Sequence, residues 1–152
     1  MATVIHRNNF LAPEPYIVAR LKEALAGQAP AVHVLTVADL DGVKEAAQLV
    51  PAVHVLLGDF KPIETNTMGT RARVQCTWLV VAAVRNLADV RSGAAARMEA
   101  GELIARASAA LMGFQLPNCA TPMRLAPAPR AWPSKGYLYV PLAFTVETVL
   151  SN

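Results

Sequence analysis

The chain has 152 residues and a net charge of +3, with 54% apolar and only 16% charged residues. The length suits a single domain over residues 1–152, and the absence of a Lys/Arg run argues against dedicated nucleic-acid binding. The longest unbroken apolar run, Trp78 to Val84, is much shorter than the roughly 18–20 residues that cross a bilayer, which argues against a membrane protein.

The first half of the chain predicts a helix followed by a strand–helix–strand unit. Pro13 to Ala26 favours a helix, because its apolar residues recur at helical spacing and Gly27 suits the end. The segment Pro30 to Leu35 recurs, letter for letter, as Pro51 to Leu56, and its Val, His and Leu residues favour strands. With a short helix over Leu40 to Leu49 between the copies, the unit predicts two parallel strands joined by a right-handed crossover.

Residues Gly58 to Thr70 predict a loop, because Gly, Pro and Asn interrupt the apolar pattern there. Phe60, Ile63 and Met68 are apolar side chains within this segment. Such side chains either serve a partner or fold back onto the core, and the sequence leaves both alternatives open.

The segment Arg71 to Asn86 carries the clearest strand pattern. Alternate residues form one apolar face, and the opposite face changes from polar to apolar at Leu79, Val81 and Ala83. At about 3.3 Å per residue the strand would approach about 50 Å, whereas a domain of this length is about 40 Å across. The strand is therefore bent, bulged or projecting beyond its own domain.

Ser92 to Phe114 predicts the longest helix, with Ser92 as the N-cap and Gly113 as the terminator. Its predicted apolar side consists of Met98, Leu103, Ile104, Ala107, Ala110 and Leu111. The many alanines on this helix would let it pack closely against a sheet.

The end of the chain predicts an extended loop over Leu116 to Gly136, with a short strand at Met123 to Leu125. Tyr137 to Leu150 follows as the last strand, in which Pro141 requires a free edge or a bulge. Together these elements predict an α+β fold with one mixed or antiparallel sheet and two or three helices packed on it.

The sequence contains no phosphate-binding glycine loop and no nucleophile elbow. Cys76 and Cys119 lack metal-ligand spacing, and their number suggests a reducing compartment. His33 and His54 occupy equivalent places in the repeated strands, so that in register their rings would lie about 5 Å apart. A metal site built on these two histidines would also need a carboxylate, from Asp59 or Glu64, and histidines on the polar face of a strand are far commoner than such a site. We therefore predict a binding or structural protein without catalytic residues, metal or cofactor.

Five segments resemble phage tail terminators of the Mu-like prophage type. They are Pro51 to Val55, Trp78 to Arg85, Ala100 to Ile104 with Ala110 to Phe114, and Gly136 to Phe144. The resemblance, which covers Pro51 to Val149, implies a fold similar to the lambda tail terminator. It also implies a structural virion protein, assembled in the host cytoplasm at the head-proximal end of the tail. Six subunits would form a ring on the tail tube, stop its polymerisation and present a surface to head-completion (neck) proteins, while DNA passes through the lumen without sequence-specific binding.

The excess of apolar residues agrees with subunit association, since a typical domain has about 45–50% apolar residues. We expect Leu79, Val81 and Ala83 to contact neighbouring subunits, and Phe60 and Met68 to contact the tube or the neck. Three alternatives stay open: another head–tail connector or neck subunit, a small-molecule-binding α+β domain, and an enzyme built around the two repeat histidines and nearby carboxylates.

Overall fold

The structure is a computed structural model that describes residues 4–36, 49–86 and 90–152. The described elements are, in chain order, α1 (Glu14–Ala24), β1 (His33–Thr36), β2 (Ala52–Thr65), β3 (Arg71–Arg85), α2 (Val90–Leu111), β4 (Arg124–Ala126), β5 (Trp132–Ser134) and β6 (Tyr137–Ser151). In this part of the chain the strands form one six-stranded sheet in the order β1-β2-β3-β6-β4, with β5 also paired to β6. Of the strand pairs in the described residues, only β1–β2 is parallel. The predicted α+β fold with a mixed sheet is confirmed.

Helices α1 and α2 pack on one face of the sheet and enclose the core. Trp78 on β3 and Phe144 on β6 lie directly opposite each other and are the largest fully buried side chains. Ile17 and Leu21 of α1 and Leu111 of α2 belong to the same buried cluster. Because alternate strand residues point to one face, the predicted apolar faces of the two long strands meet in this core.

Helix α2 packs through small residues, as its alanine content predicts. Its buried stripe consists of Ala96, Ala100, Leu103, Ala107 and Leu111. Met98 was expected on this stripe and is instead 71% exposed, because the stripe runs along a helical row that excludes it. The helix begins at Val90, before the predicted cap Ser92, and Gly113 follows its end with a φ of 75°. A positive φ favours glycine and stops the helix, as predicted.

The two copies of the repeat lie side by side in parallel, as predicted, but not in register. His33 is opposite Ala52, and His54 is opposite Leu35. The two-residue offset separates the imidazoles that the sequence placed side by side. The helix predicted between the copies, Leu40 to Leu49, falls almost entirely on residues 37–48, outside the described residues.

The loop predicted at Gly58 to Thr70 is confirmed only for residues 66–70 and is wrong for the rest, because β2 continues to Thr65. Pairing with β3 supplies the backbone hydrogen bonds, and the register shifts between Leu57 and Asp59 and again between Pro62 and Glu64. These β-bulges absorb the residues that break the local pattern. A Cβ on Gly58 would lie 3.1 Å from Leu79 Cγ and 3.2 Å from Thr77 O.

Of the three alternatives for the long strand β3, bulging is not observed, because the extra residues at the two register shifts, Gly58 and Ile63, lie on its partner β2. Strand β3 itself pairs with β6 without a register shift, from Arg71 opposite Ser151 to Arg85 opposite Tyr137. The three central strands thus run the length of the sheet together.

Strand β4 begins at Arg124, one residue later than the short strand predicted at Met123 to Leu125. Strand β5 was not predicted. Both pair with the same side of β6: β5 opposite Tyr137 to Tyr139, and β4 opposite Ala143 to Thr145. Pro141 lies between these two stretches, at a position without a strand partner on that side in the described chain. The free edge expected at this proline is confirmed.

Candidate assembly surfaces

The turn between β2 and β3, residues 66–70, is held by the side chain of Asn66. Asn66 Oδ1 accepts hydrogen bonds from the amides of Thr70 (2.9 Å) and Arg71 (3.2 Å), and Asn66 Nδ2 donates to Thr70 Oγ1 (3.0 Å). Gly69 adopts a φ of 70°, which the turn requires. These bonds order the turn, so that Met68 is presented to solvent from a fixed backbone.

Three apolar side chains lie exposed on this hairpin. Met68 is 81% exposed, Phe60 48% and Ile63 40%. Phe60 is stacked on Phe10, with ring centroids 5.0 Å apart, and it is opposite Cys76 on the helix-bearing face. The sequence left open whether these residues are exposed or fold back onto the core, and it placed Phe60 and Ile63 in a loop, whereas both lie on β2. Contact of Phe60 and Met68 with the tube or the neck stays a prediction.

The second face of β3, opposite the helices, carries the other predicted contact residues. Val81 is 5% exposed and Ala83 is fully buried, whereas Leu79 is half-buried. Subunit contact through these residues stays a prediction. In the isolated chain only Leu79 offers appreciable surface, which limits what Val81 and Ala83 can contribute directly.

His54 lies beside Val81 on this face, buried among apolar neighbours. Within the described part of the chain, neither of its ring nitrogens has a hydrogen-bond partner. Burial therefore lowers the pKa of His54, and the neutral imidazole is the form that the fold accommodates. In the described residues no group of three or more His, Cys, Asp or Glu is placed to hold a metal ion.

Cys76 is buried in the core, as its apolar neighbours predict. Burial raises the pKa of its thiol to about 11, with smaller contributions from Cys119 and Asp59. A thiol with such a pKa is protonated at neutral pH, and the thiolate is the reactive species. Cys76 therefore has the properties of a core residue.

The outer edge of β6 is covered almost throughout. Beyond the stretches paired with β5 and β4, the Ala120 amide donates to Glu147 O (2.7 Å), and the Glu147 amide donates to Thr121 Oγ1 (3.0 Å). At the end of the strand, Asn8 Nδ2 donates to Ser151 O (2.7 Å), and Asn8 Oδ1 accepts from the Ser151 amide (3.1 Å). An edge treated in this way cannot accept another strand.

The outer edge of β2 is different. Strand β1 pairs only with Ala52 to Val55. From Leu56 to Thr65, no strand of the described chain pairs with this side of β2. Unpaired backbone N–H and C=O groups on an extended strand are a template for another chain. The sequence did not predict this open edge, because an edge depends on which strands lie next to it in the fold.

Two charged residues on the sheet edges have no ionic partner among the described residues. Arg73 forms salt bridges with Glu64 (3.3 Å) and Glu147 (3.8 Å) across the three central strands. Asp59 on β2 and Arg124 on β4 are both exposed, and neither takes part in a salt bridge within the described chain.

Among the described residues, no helix has the length and apolar character needed to cross a membrane. A search of curated proteins gives no match. Among solved structures, a chain of the "Virion of native gene transfer agent (GTA) particle" is similar, with 15% identity and a TM-score of 0.49 over 93% of this chain and 98% of that chain. So distant a likeness carries no functional argument. The sequence model of the family described as phage tail terminator protein matches residues 7–152, and the chain therefore belongs to that family of structural virion proteins.

Proposed function

We propose that the chain, acting as a single domain, assembles into a ring that caps the tail tube at its head-proximal end. The ring stops tube polymerisation and provides the joining surface for head-completion (neck) proteins. Membership of the tail terminator family supports the role. The unlike edges of the sheet support the ring most directly, because a contact between two different surfaces repeats head to tail and closes into a ring when the rotation between subunits allows it.

The exposed hairpin supports a docking role for the end of the sheet. Met68 stands on an ordered turn, and Phe60 is fixed against Phe10, so both are held in place before a partner arrives. Preorganised apolar side chains reduce the entropy lost on binding. We propose that these residues contact the tube or the neck, and that the lumen of a ring of about six subunits passes DNA without reading its sequence.

The proposal is tested with untagged protein, by light scattering over a concentration range and by negative-stain images of protein mixed with tail tubes. We expect rings of about six subunits, or a monomer that forms rings on tube ends. In addition, Met68→Ser should weaken capping. The matched control is Met112→Ser, since Met112 is also exposed (55%) but follows the end of α2.

Equal effects of the two methionine substitutions would contradict docking through the hairpin. A protein that associates but leaves tube ends uncapped would indicate another neck or connector subunit. A strict monomer without tube binding would contradict the whole proposal, and a melting temperature that rises with a small molecule would then favour the ligand-binding alternative.

A further inference from the structure

We infer that the uncovered edge of β2 is filled by strand β4 of a second copy of this chain, with Asp59 of one copy opposite Arg124 of the next. This inference rests on the proposed ring and specifies its subunit contact. It follows from the register of the sheet, from the direction of its strands and from the residues that the two edges carry.

Asp59 and Arg124 occupy the same row of the sheet at its two opposite edges. Asp59 is opposite Thr77, Thr77 is opposite Thr145, and Thr145 is opposite Arg124. Directly opposite residues point to the same face. Both charged side chains therefore lie on the face away from the helices, at equal height on the sheet.

Strand direction permits the sheet to continue from one copy to the next. Strands β2, β3, β6 and β4 are antiparallel at each step. Strand β4 therefore runs opposite to β2. If β4 of a second copy is laid against β2 without a change of height, the new pair is antiparallel like the three before it.

The same alignment matches the neighbouring rows. Leu57 and Leu125 share one row through Trp78 and Phe144, and Leu125 is 51% exposed on its edge. The adjacent row joins Leu56 to Ala126 through Leu79 and Ala143. Apolar residues thus face apolar residues on both faces, and an acidic residue faces a basic one.

Local features confine the pairing to this short window. Strand β1 occupies β2 up to Val55, and Pro62 lacks the N–H that a longer ladder would need. On the other strand, Pro127 follows β4 immediately. The stretch of β2 between Val55 and Pro62 therefore has room for the three residues of β4, and slipped registers would set apolar residues against charged ones.

Engineered cysteines test this contact directly. Within one chain, positions 59 and 124 are separated by two strands, or about 14 Å, which is too far for a disulfide. Any disulfide between them must therefore join two copies. Under oxidation, the double variant Asp59→Cys/Arg124→Cys should give a ladder of covalent oligomers on non-reducing gels.

Two single-cysteine variants serve as matched controls, with the unmodified chain as the baseline for Cys76 and Cys119. Asp59→Cys alone and Arg124→Cys alone should each stay monomeric on the gel, whereas their mixture should give a dimer and nothing larger. A dimer from Asp59→Cys alone would indicate two β2 edges paired about a two-fold axis and would overturn the inference.

Charge reversal provides an independent test. Asp59→Arg and Arg124→Asp should each weaken association, by roughly tenfold per contact, because like charges then face each other. An equimolar mixture of the two variants should restore it, since every contact in an alternating ring again joins opposite charges. Failure of the mixture to associate better than either variant alone would contradict the pairing.

The outcomes separate this contact from the proposed function. Rings or capped tubes without the disulfide ladder would overturn the edge contact and leave the terminator role standing. A ladder from a protein that forms open filaments and leaves tubes uncapped would support the edge contact and overturn the role.

Discussion

The bulge at Gly58 offers a sharp test of the sheet geometry. In Gly58→Ala the new Cβ would lie 3.1 Å from Leu79 Cγ and 3.2 Å from the backbone oxygen of Thr77. Overpacking of this kind costs about 1–3 kcal/mol, and the stiffer unfolded chain returns about 0.4–1 kcal/mol. We expect a net loss of about 1 kcal/mol and a fall in Tm of about 2–4 °C.

Gly101→Ala is the matched control, because nothing lies within 4 Å of its Cβ position and the residue is exposed on α2. An alanine there should raise the free energy of unfolding by about 0.5–1 kcal/mol. The assay is urea and thermal unfolding of both variants at one protein concentration. A Gly58→Ala variant as stable as the parent chain would refute the close approach and the bulge that depends on it.

The remaining predictions concern buried side chains. Since burial lowers the pKa of His54, the folded state binds fewer protons than the unfolded state at acidic pH. The free energy of unfolding should therefore keep its full value above pH about 6.5 and decrease below it, by up to about 1.4 kcal/mol per pH unit. His54→Leu should flatten this profile of urea midpoints, and an unchanged slope would assign it to other groups. Trp78→Ala should lower the free energy of unfolding by about 3–5 kcal/mol in urea titrations, and a loss below about 1 kcal/mol would mean that Trp78 is not central to the core. With its pKa raised to about 11, Cys76 should resist alkylation at pH 8 until the protein unfolds; rapid labelling of the native protein at Cys76, detected by mass spectrometry, would disagree.

The long, periodic elements could be predicted from the sequence because the spacing of their apolar residues indicates which face is buried. The alternation along β3 and β6 placed Trp78 and Phe144 on the same side of the sheet, where they are paired. The proline within β6 and the glycine after α2 were also correctly interpreted, since each imposes a single backbone requirement.

The errors come from tertiary pairing. Gly58 and Pro62 break the local pattern, but β3 supplies a partner strand, and the register shifts at Gly58 and at Ile63, next to Pro62, keep the two strands paired. The offset between the two repeat copies depends on how β1 packs beside β2, and the identity of the two sequences does not determine that register. The open edge of β2 was missed for the same reason, since an edge is defined by the strands that are next to it.

The two hydrogen bonds between the Asn8 side chain and the Ser151 backbone hold the N-terminal segment against the C-terminal end of the chain. Asn152 also donates its amide to Thr70 O at 3.1 Å, so that the C-terminal end lies beside the β2–β3 turn. A protein fused after Asn152 would therefore stand beside the turn that carries Met68. Such a fusion acts as a steric block at a known position, and it distinguishes the end of the sheet that docks on a partner from the end that stays free.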